Sequence, residues 1–313
     1  MSVAMAGIGV ITNPRSRRNR KDPRLAQQLA YVMGEQGQLY APGDLEALDQ
    51  VAKHFLEREI DVLAINGGDG TVHVVLSAFV RVYGERPLPR VAILRGGTMN
   101  TVASGIGIRG RPEGLLGRLV NQYHSGRPLA VVERNLIRVG DHVGFLFGNG
   151  LVTNFLSVYY EGSEPTPWKA FGMVMRSVFS AFVNGAYIRQ MIAPIRVEVE
   201  VDGQKWPHSR YLAMVAGTVN SIGFQVRPFT RVVRHPNHLE IMGLACSILR
   251  LVLLLPRVRM ALPVVDDEVE VDLARRVVMR SERPIPYTLD GDFFPGSEEL
   301  VLEVGPRIEL VLS

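Results

Sequence analysis

Residues 62–71, VLAINGGDGT, restrict the fold of this chain more than any other stretch. A short apolar run of the kind that forms a strand buried on both faces leads straight into Gly-Gly-Asp-Gly-Thr, and helix-compatible sequence follows as far as Ala78. The order predicts a strand, a tight loop and a helix N-terminus. Gly67, Gly68 and Gly70 allow backbone angles closed to other residues and put no side chain between the amides and an incoming anion, so the loop reads as a phosphate cradle. Asp69 places a carboxylate in that cradle, where it must bind a cation, orient a donor or take up a proton. Chemistry, and not anion binding alone, is the expectation.

Two further apolar runs end in comparable loops. Residues 7–12 stop at Asn13-Pro14, and residues 91–94 stop at Arg95-Gly96-Gly97-Thr98-Met99-Asn100. Helical patterns over 25–34, 45–59 and 71–82 separate the runs, the second with Leu45, Leu48, Val51, Ala52, Phe55 and Leu56 on one stripe. Strands alternating with helices predict a parallel sheet with right-handed crossovers, which binds ligands at the carboxyl ends of its strands. Asn13 and both glycine loops are expected on that edge.

Beyond a helical segment at 112–125 the period changes from helical to two. Strands are predicted over 131–139, 143–147, 195–201, 211–215, 238–242, 268–273, 277–280 and 300–304. Val197, Val199 and Val201 interleave with Arg196, Glu198, Glu200 and Asp202, a pattern of antiparallel sheet with one charged face. At 313 residues the chain exceeds the usual single core, and two domains are expected. We read a Rossmann-like parallel α/β nucleotide domain over 1–128 and an antiparallel β-sandwich over 129–313, with a cleft between them and the last strands packing back on the first domain.

Hydrophobic content of 47% and charge of 21% suit a folded protein. Cys246 is the single cysteine, which excludes an intramolecular disulfide, and its apolar neighbours predict a core residue. The first residues lack the basic start and unbroken apolar stretch of a signal peptide. Residues 248–256 are interrupted by Arg250 and fall far short of the roughly 20 residues that span a bilayer. The expectation is a cytoplasmic protein that touches a membrane without crossing it. Net charge is only +4, yet residues 15–24 concentrate Arg15, Arg17, Arg18, Arg20, Lys21 and Arg24 against Asp22 alone. Such a cluster attracts phosphates of a nucleotide, a lipid headgroup or a nucleic acid, although charge by itself predicts only a solvated loop.

Near the C-terminus, Asp290-Gly291-Asp292 reads first as a hairpin turn. Moving a phosphoryl group to a hydroxyl needs a nucleotide cradle, Mg²⁺ to spread the charge and a carboxylate to accept the proton, and Asp292 is a candidate for that base.

Taken as an ordered set, Gly67-Gly68-Asp69-Gly70-Thr71, Gly97-Thr98-Met99-Asn100 followed by Ala103, and Asp290-Gly291-Asp292 resemble the signature of the diacylglycerol kinase catalytic-domain family. That family includes bacterial diacylglycerol kinases and the sphingosine and ceramide kinases. A lone GGDG also occurs in NAD kinases and phosphofructokinases, but the whole set spans this chain from Asn13-Pro14 to the last strands. The resemblance implies an α/β nucleotide domain, a β-sandwich lipid domain and a cleft. It implies ATP held by Asn13, Gly67, Gly68, Asp69, Gly70, Thr71, Gly97, Thr98 and Asn100, Mg²⁺ beside Asp69, and Asp292 as base. Asp69 is then expected to serve the chemistry alone, its removal sparing the fold. A lipid substrate, an anionic membrane surface at the cytoplasmic face and a homodimer are the partners implied, with no nucleic acid.

Several positions depart from the family pattern. Arg17 follows Ser16 where the family has glycine, Val72-His73-Val74 stands where it has a residue and then Asn-Glu, and Asp292 replaces glutamate. The shorter side chain retracts the base by roughly 1.5 Å, enough to slow transfer. Pro236-Asn237 replaces an Asp-Gly turn that supports a structural Mg²⁺ in some bacterial members, so that metal site is not expected. His73 reads either as a phosphate contact or as a surface or capping residue. An NAD kinase-like soluble-substrate kinase and a catalytically impaired nucleotide or lipid sensor remain as alternatives. Two apolar helices, 168–190 and 246–258, read as covers for the sandwich or as membrane contacts, the second flanked by Arg250, Arg257 and Arg259.

Overall fold

The three apolar runs that precede polar loops are neighbouring parallel strands. In the computed structural model, which describes residues 7–22, 24–33, 38–160, 193–222 and 226–312, β1 (Ile8–Thr12) and β3 (Val62–Asn66) are buried along their whole length. With β2 (Gln38–Tyr40) and β4 (Arg90–Ile93) they form a parallel sheet in the order β2-β1-β3-β4. The helix expected over 168–190 lies outside the described residues.

The chain divides into two compact units. One comprises Met1–Leu136, Asp141–Gly144 and Pro306–Ser313, and the other Ile137–Gly140 and Phe145–Gly305. In the first, the helices are α1 (Arg17–Lys21), α2 (Leu25–Met33), α3 (Leu45–Glu57), α4 (Asp69–Tyr83), α5 (Thr101–Gly105) and α6 (Pro112–His124). α3 starts where the Asp44 side chain accepts the Ala47 amide at 2.8 Å, an N-cap worth about 1 kcal/mol. Its apolar stripe brings Phe55 edge-on to Phe79 of α4, with ring centroids 5.6 Å apart. α1 corrects the reading of 15–24 as a loop, because Arg17–Lys21 close one helical turn after the Asn13-Pro14 bend.

The second unit holds two larger antiparallel sheets and a two-stranded one, β8 (Ile195–Arg196) with β11 (Arg210–Tyr211). Strands β5 (Val131–Val139) and β18 (Glu299–Val311) each have residues in both units, and Leu310 at the end of β18 pairs in parallel with Val91 of β4 inside the first. One sheet of the second unit runs β10 (Gln204–Lys205), β9 (Glu198–Val201), β15 (Arg276–Arg280), β18. The other runs β14 (Val269–Ala274), β13 (Leu239–Leu244), β12 (Ala213–Gly217), β7 (Leu146–Asn149), β16 (Tyr287–Leu289), β17 (Asp292–Phe294). Val199, Val201, Met279 and Leu302 from the first sheet and Phe147, Met214, Ile241 and Leu289 from the second share one buried cluster, so the two sheets form the expected sandwich.

Two local differences from the sequence reading have physical causes. The strand expected over 143–147 is broken into β6 (His142–Gly144) and β7, because the Phe145 and Leu146 amides both donate to the Asp290 carboxylate. After α7 (Leu151–Tyr160), the helix expected over 246–258 is α8 (Ile248–Arg259), which covers the outer face of the six-stranded sheet by burying Leu254 and Val258 against Leu212, Val215 and Met242. Cys246 is buried in the same cluster, which pushes its thiol pKa up. Among the described residues no helix is long and apolar enough to cross a membrane.

Candidate active site

Parallel strands release their polar ends on one edge, and here three of them carry the candidate residues. Asn13 follows β1, its amide donating to the Asn66 carbonyl at the end of β3 at 3.0 Å and its side-chain Nδ2 donating to Thr71 Oγ1 at 2.9 Å. Asn13 Oδ1 accepts the Arg15 amide at 2.9 Å, closing the turn that starts α1. Asn66 is fully buried and donates its Nδ2 to Thr12 Oγ1 and to Asn19 Oδ1, each at 3.0 Å. Neither Asn66 nor Asn19 was singled out from the sequence, although a polar residue closing an apolar strand is a usable signal.

The two glycine loops touch through their backbones. A Cβ on Gly97 would lie 2.3 Å from the Gly68 Cα, and one on Gly67 would lie 2.3 Å from Thr71 Cβ, so no side chain fits at either place. Gly97→Ala therefore forces main chain against main chain. The expected result is a loss of about 1–3 kcal/mol in urea unfolding together with loss of nucleotide binding, and unaltered stability would show that the loops are not in contact.

Asp69 is the first residue of α4 and acts across both loops. Its Oδ2 accepts the Thr101 amide at 3.0 Å and its Oδ1 the Val102 amide at 3.2 Å, so the carboxylate caps the start of α5. Burial raises its pKa above the ordinary carboxylate value, and the Thr101 and Val102 amides oppose that rise. The Thr101 side chain and the backbone of Asp69 itself add further hydrogen bonds that oppose the rise in the same sense.

Asn100 shapes the second loop with both ends of its side chain. Oδ1 accepts the Gly97 amide and Nδ2 donates to the Gly97 carbonyl, both at 3.0 Å, while the backbone sits in the left-handed region at φ 48°. Thr98 is half-buried between them. Arg95 precedes the loop at φ 57°, a strained angle for a residue of this size, and its NH1 donates to the Ile108 carbonyl at 3.0 Å.

His73 answers differently from either sequence reading. It is 2% exposed, and its Nδ1 donates to the Val143 carbonyl of β6 at 2.8 Å, the carbonyl fixing that nitrogen as the protonated one. Ser77 completes the join by accepting the Val143 amide at 3.0 Å. His73 is thus a packing residue and neither a surface nor a capping one. Burial, with His142 adding to it, lowers its pKa to about 4 against the pull of the Val143 bond. The unfolded chain binds the proton near 6.5 and the folded one only near 4, so stability is complete above pH 6.5 and falls as pH drops to 4. The loss should approach about 3 kcal/mol in urea titrations, and His73→Gln should flatten that dependence.

Asp290 and Asp292 lie in the second unit. Leu289 and Asp292 pair in register across a two-residue turn with φ 50° at Asp290 and 91° at Gly291, the type I′ hairpin that Asp-Gly favours. Asp290 is 7% exposed, and its carboxylate accepts the amides of Phe145 and Leu146. Asp292 is half-buried at the start of β17. The hairpin gives the two carboxylates different places, Asp290 bracing the sheet and Asp292 at the head of β17.

With this geometry in place, residues 7–131 match the model of the diacylglycerol kinase catalytic domain. That segment is where the chain is similar to the diacylglycerol kinase catalytic domain. The diacylglycerol kinase match takes in Asn13 and both glycine loops, whereas Asp290 and Asp292 lie outside it. Three solved structures from Bacillus anthracis strain Sterne share the fold of this chain. One, described as a diacylglycerol kinase, is 14% identical with a TM-score of 0.65. Two others, assigned provisionally to the same activity, are 12% and 14% identical with TM-scores of 0.69 and 0.71. Each comparison covers 98% of this chain and 97% of the other. No curated protein matches the chain.

Proposed function

We propose that the chain is an ATP-dependent lipid kinase that transfers the γ-phosphate to the hydroxyl of a diacylglycerol- or sphingosine-like lipid. The observation that carries the reading is the backbone contact between the Gly67–Thr71 and Gly96–Asn100 loops at the ends of parallel strands, within the segment that matches a lipid-kinase family.

In this reading the amides of Gly67, Gly68, Gly70 and Thr71, with Gly97 and Thr98, approach the nucleotide phosphates, since glycine leaves the main chain open to an anion. Asn13 and Asn100 hold those loops in shape through the bonds described above. Among the described residues no three His, Cys, Asp or Glu side chains gather, so Mg²⁺ would take most of its ligands from phosphates and water, with Asp69 directly or through water. When bound, the ion neutralises charge that builds on the phosphoryl oxygens. Asp69 also keeps the two loops together, and Asp292 accepts the proton of the attacking hydroxyl. An anionic membrane surface at the cytoplasmic face presents the lipid, and a homodimer is the proposed assembly.

The test is a radiolabelled ATP assay against diacylglycerol, monoacylglycerol, ceramide, sphingosine, phosphatidylglycerol and polyprenol in mixed micelles, with NAD as a soluble acceptor. Label in a lipid product is expected. Label in NADP alone, or nucleotide binding without transfer to any acceptor, overturns the proposal.

A further inference from the structure

Six buried side-chain polar atoms among the described residues have no hydrogen-bond partner, and four of them lie on the edge that carries the glycine loops: Ser16 Oγ, Arg17 Nε, Asn66 Oδ1 and Arg95 Nε. Buried polar groups are normally satisfied, so such a concentration asks for a missing partner. Three of the four can donate a hydrogen bond, and two are guanidinium nitrogens.

The backbone draws further arginines to the same place. The Arg18 amide donates to the Gly96 carbonyl at 3.2 Å, and the Arg18 guanidinium reaches the Arg95 carbonyl at 3.5 Å. Arg95 crosses to the Ile108 carbonyl and to Ser104 Oγ, which carries its guanidinium toward Arg109. Burial lowers the Arg95 pKa, and the charges of Arg18 and Arg109 lower it further. No ion pair joins Arg18, Arg95 or Arg109 to a described carboxylate, although Asp69 is close enough for Arg95 to feel its charge. Repelling cations held by strained backbone at φ 57° are stabilised when an anion sits between them.

We propose that the guanidinium groups of Arg18, Arg95 and Arg109, joined to the second glycine loop through the Arg18–Gly96 bond, form a site for a phosphate group. Its chemistry is that of a multiply charged phosphate oxyanion, supplied by the tail of a nucleotide or by the headgroup of an anionic lipid. The placement beside the loops rests on the nucleotide reading above, whereas the anion site itself does not.

Calorimetric titration of the full chain tests it without turnover. Inorganic tripolyphosphate, ATP, adenosine and a soluble short-chain phosphatidate are titrated into the parent protein and into Arg18→Gln, Arg95→Gln and Arg109→Gln. Tripolyphosphate should bind the parent and bind each variant roughly tenfold to a hundredfold more weakly, as loss of a charge-assisted contact implies. Arg109 is exposed, so Arg109→Gln should keep the parent thermal midpoint and separates lost binding from lost folding. A parallel loss for ATP but not phosphatidate names the nucleotide tail as the source, and the reverse names the lipid headgroup. Unchanged tripolyphosphate affinity in all three variants overturns the site. A parent protein that binds tripolyphosphate through these arginines yet phosphorylates no lipid removes the kinase reading and leaves the anion site standing.

Discussion

Asp292→Asn should lower lipid phosphorylation by roughly 10²–10⁴-fold while unfolding at the parent temperature. The range is what a positioned general base contributes to a proton transfer, and asparagine keeps the shape of aspartate but cannot take the proton. Stability should hold because Asp292 is half-buried at the start of an edge strand and Asp290, two residues earlier, does the bracing. Asp290→Ala is the natural contrast. It strips the acceptor from the Phe145 and Leu146 amides and should cost about 3 kcal/mol, visible as an earlier urea midpoint. Initial rates with saturating ATP separate the two, and full turnover by Asp292→Asn would remove the proposed base.

Asp69→Ala should abolish transfer and also destabilise the protein. Each carboxylate oxygen accepts one backbone amide at the start of α5, and charged acceptors of that kind are worth roughly 1.5–3 kcal/mol apiece before the variant relaxes. The sequence reading, which gave Asp69 only a chemical role, expects an unchanged thermal transition. Asp69→Asn distinguishes the roles, because an amide oxygen still accepts one of the two bonds while the charge is gone. Near-parent stability with lost turnover in Asp69→Asn, beside lost stability in Asp69→Ala, is the expected pair. Parent-like stability in both variants would mean that the bonds to Thr101 and Val102 do not hold the loops together.

Much of the fold is legible along the chain because the hydrophobic period changes where the architecture changes. Apolar runs bounded by asparagine or glycine mark β1, β3 and β4, and strict alternation at Val197, Val199 and Val201 marks a sheet buried on one face. The glycine loops announce themselves for the same reason, since few other uses of two glycines after a buried strand exist. Harder to see were the short elements. α1, α5 and β2 run five, five and three residues, too short for a period to register, and they form because their neighbours supply hydrogen bonds.

What local sequence determined is which positions are strand, helix and glycine turn, and hence where a phosphate can approach the main chain, because periodicity and backbone sterics act over a few residues. Tertiary structure decided what the polar side chains do. His73 follows the glycine loop in sequence but donates to Val143, 70 positions away. Asp290 meets Phe145 across 145 positions, and Asp69 meets Thr101 across 32. A buried donor or acceptor must find its partner wherever folding brings one, and no local pattern records that distance.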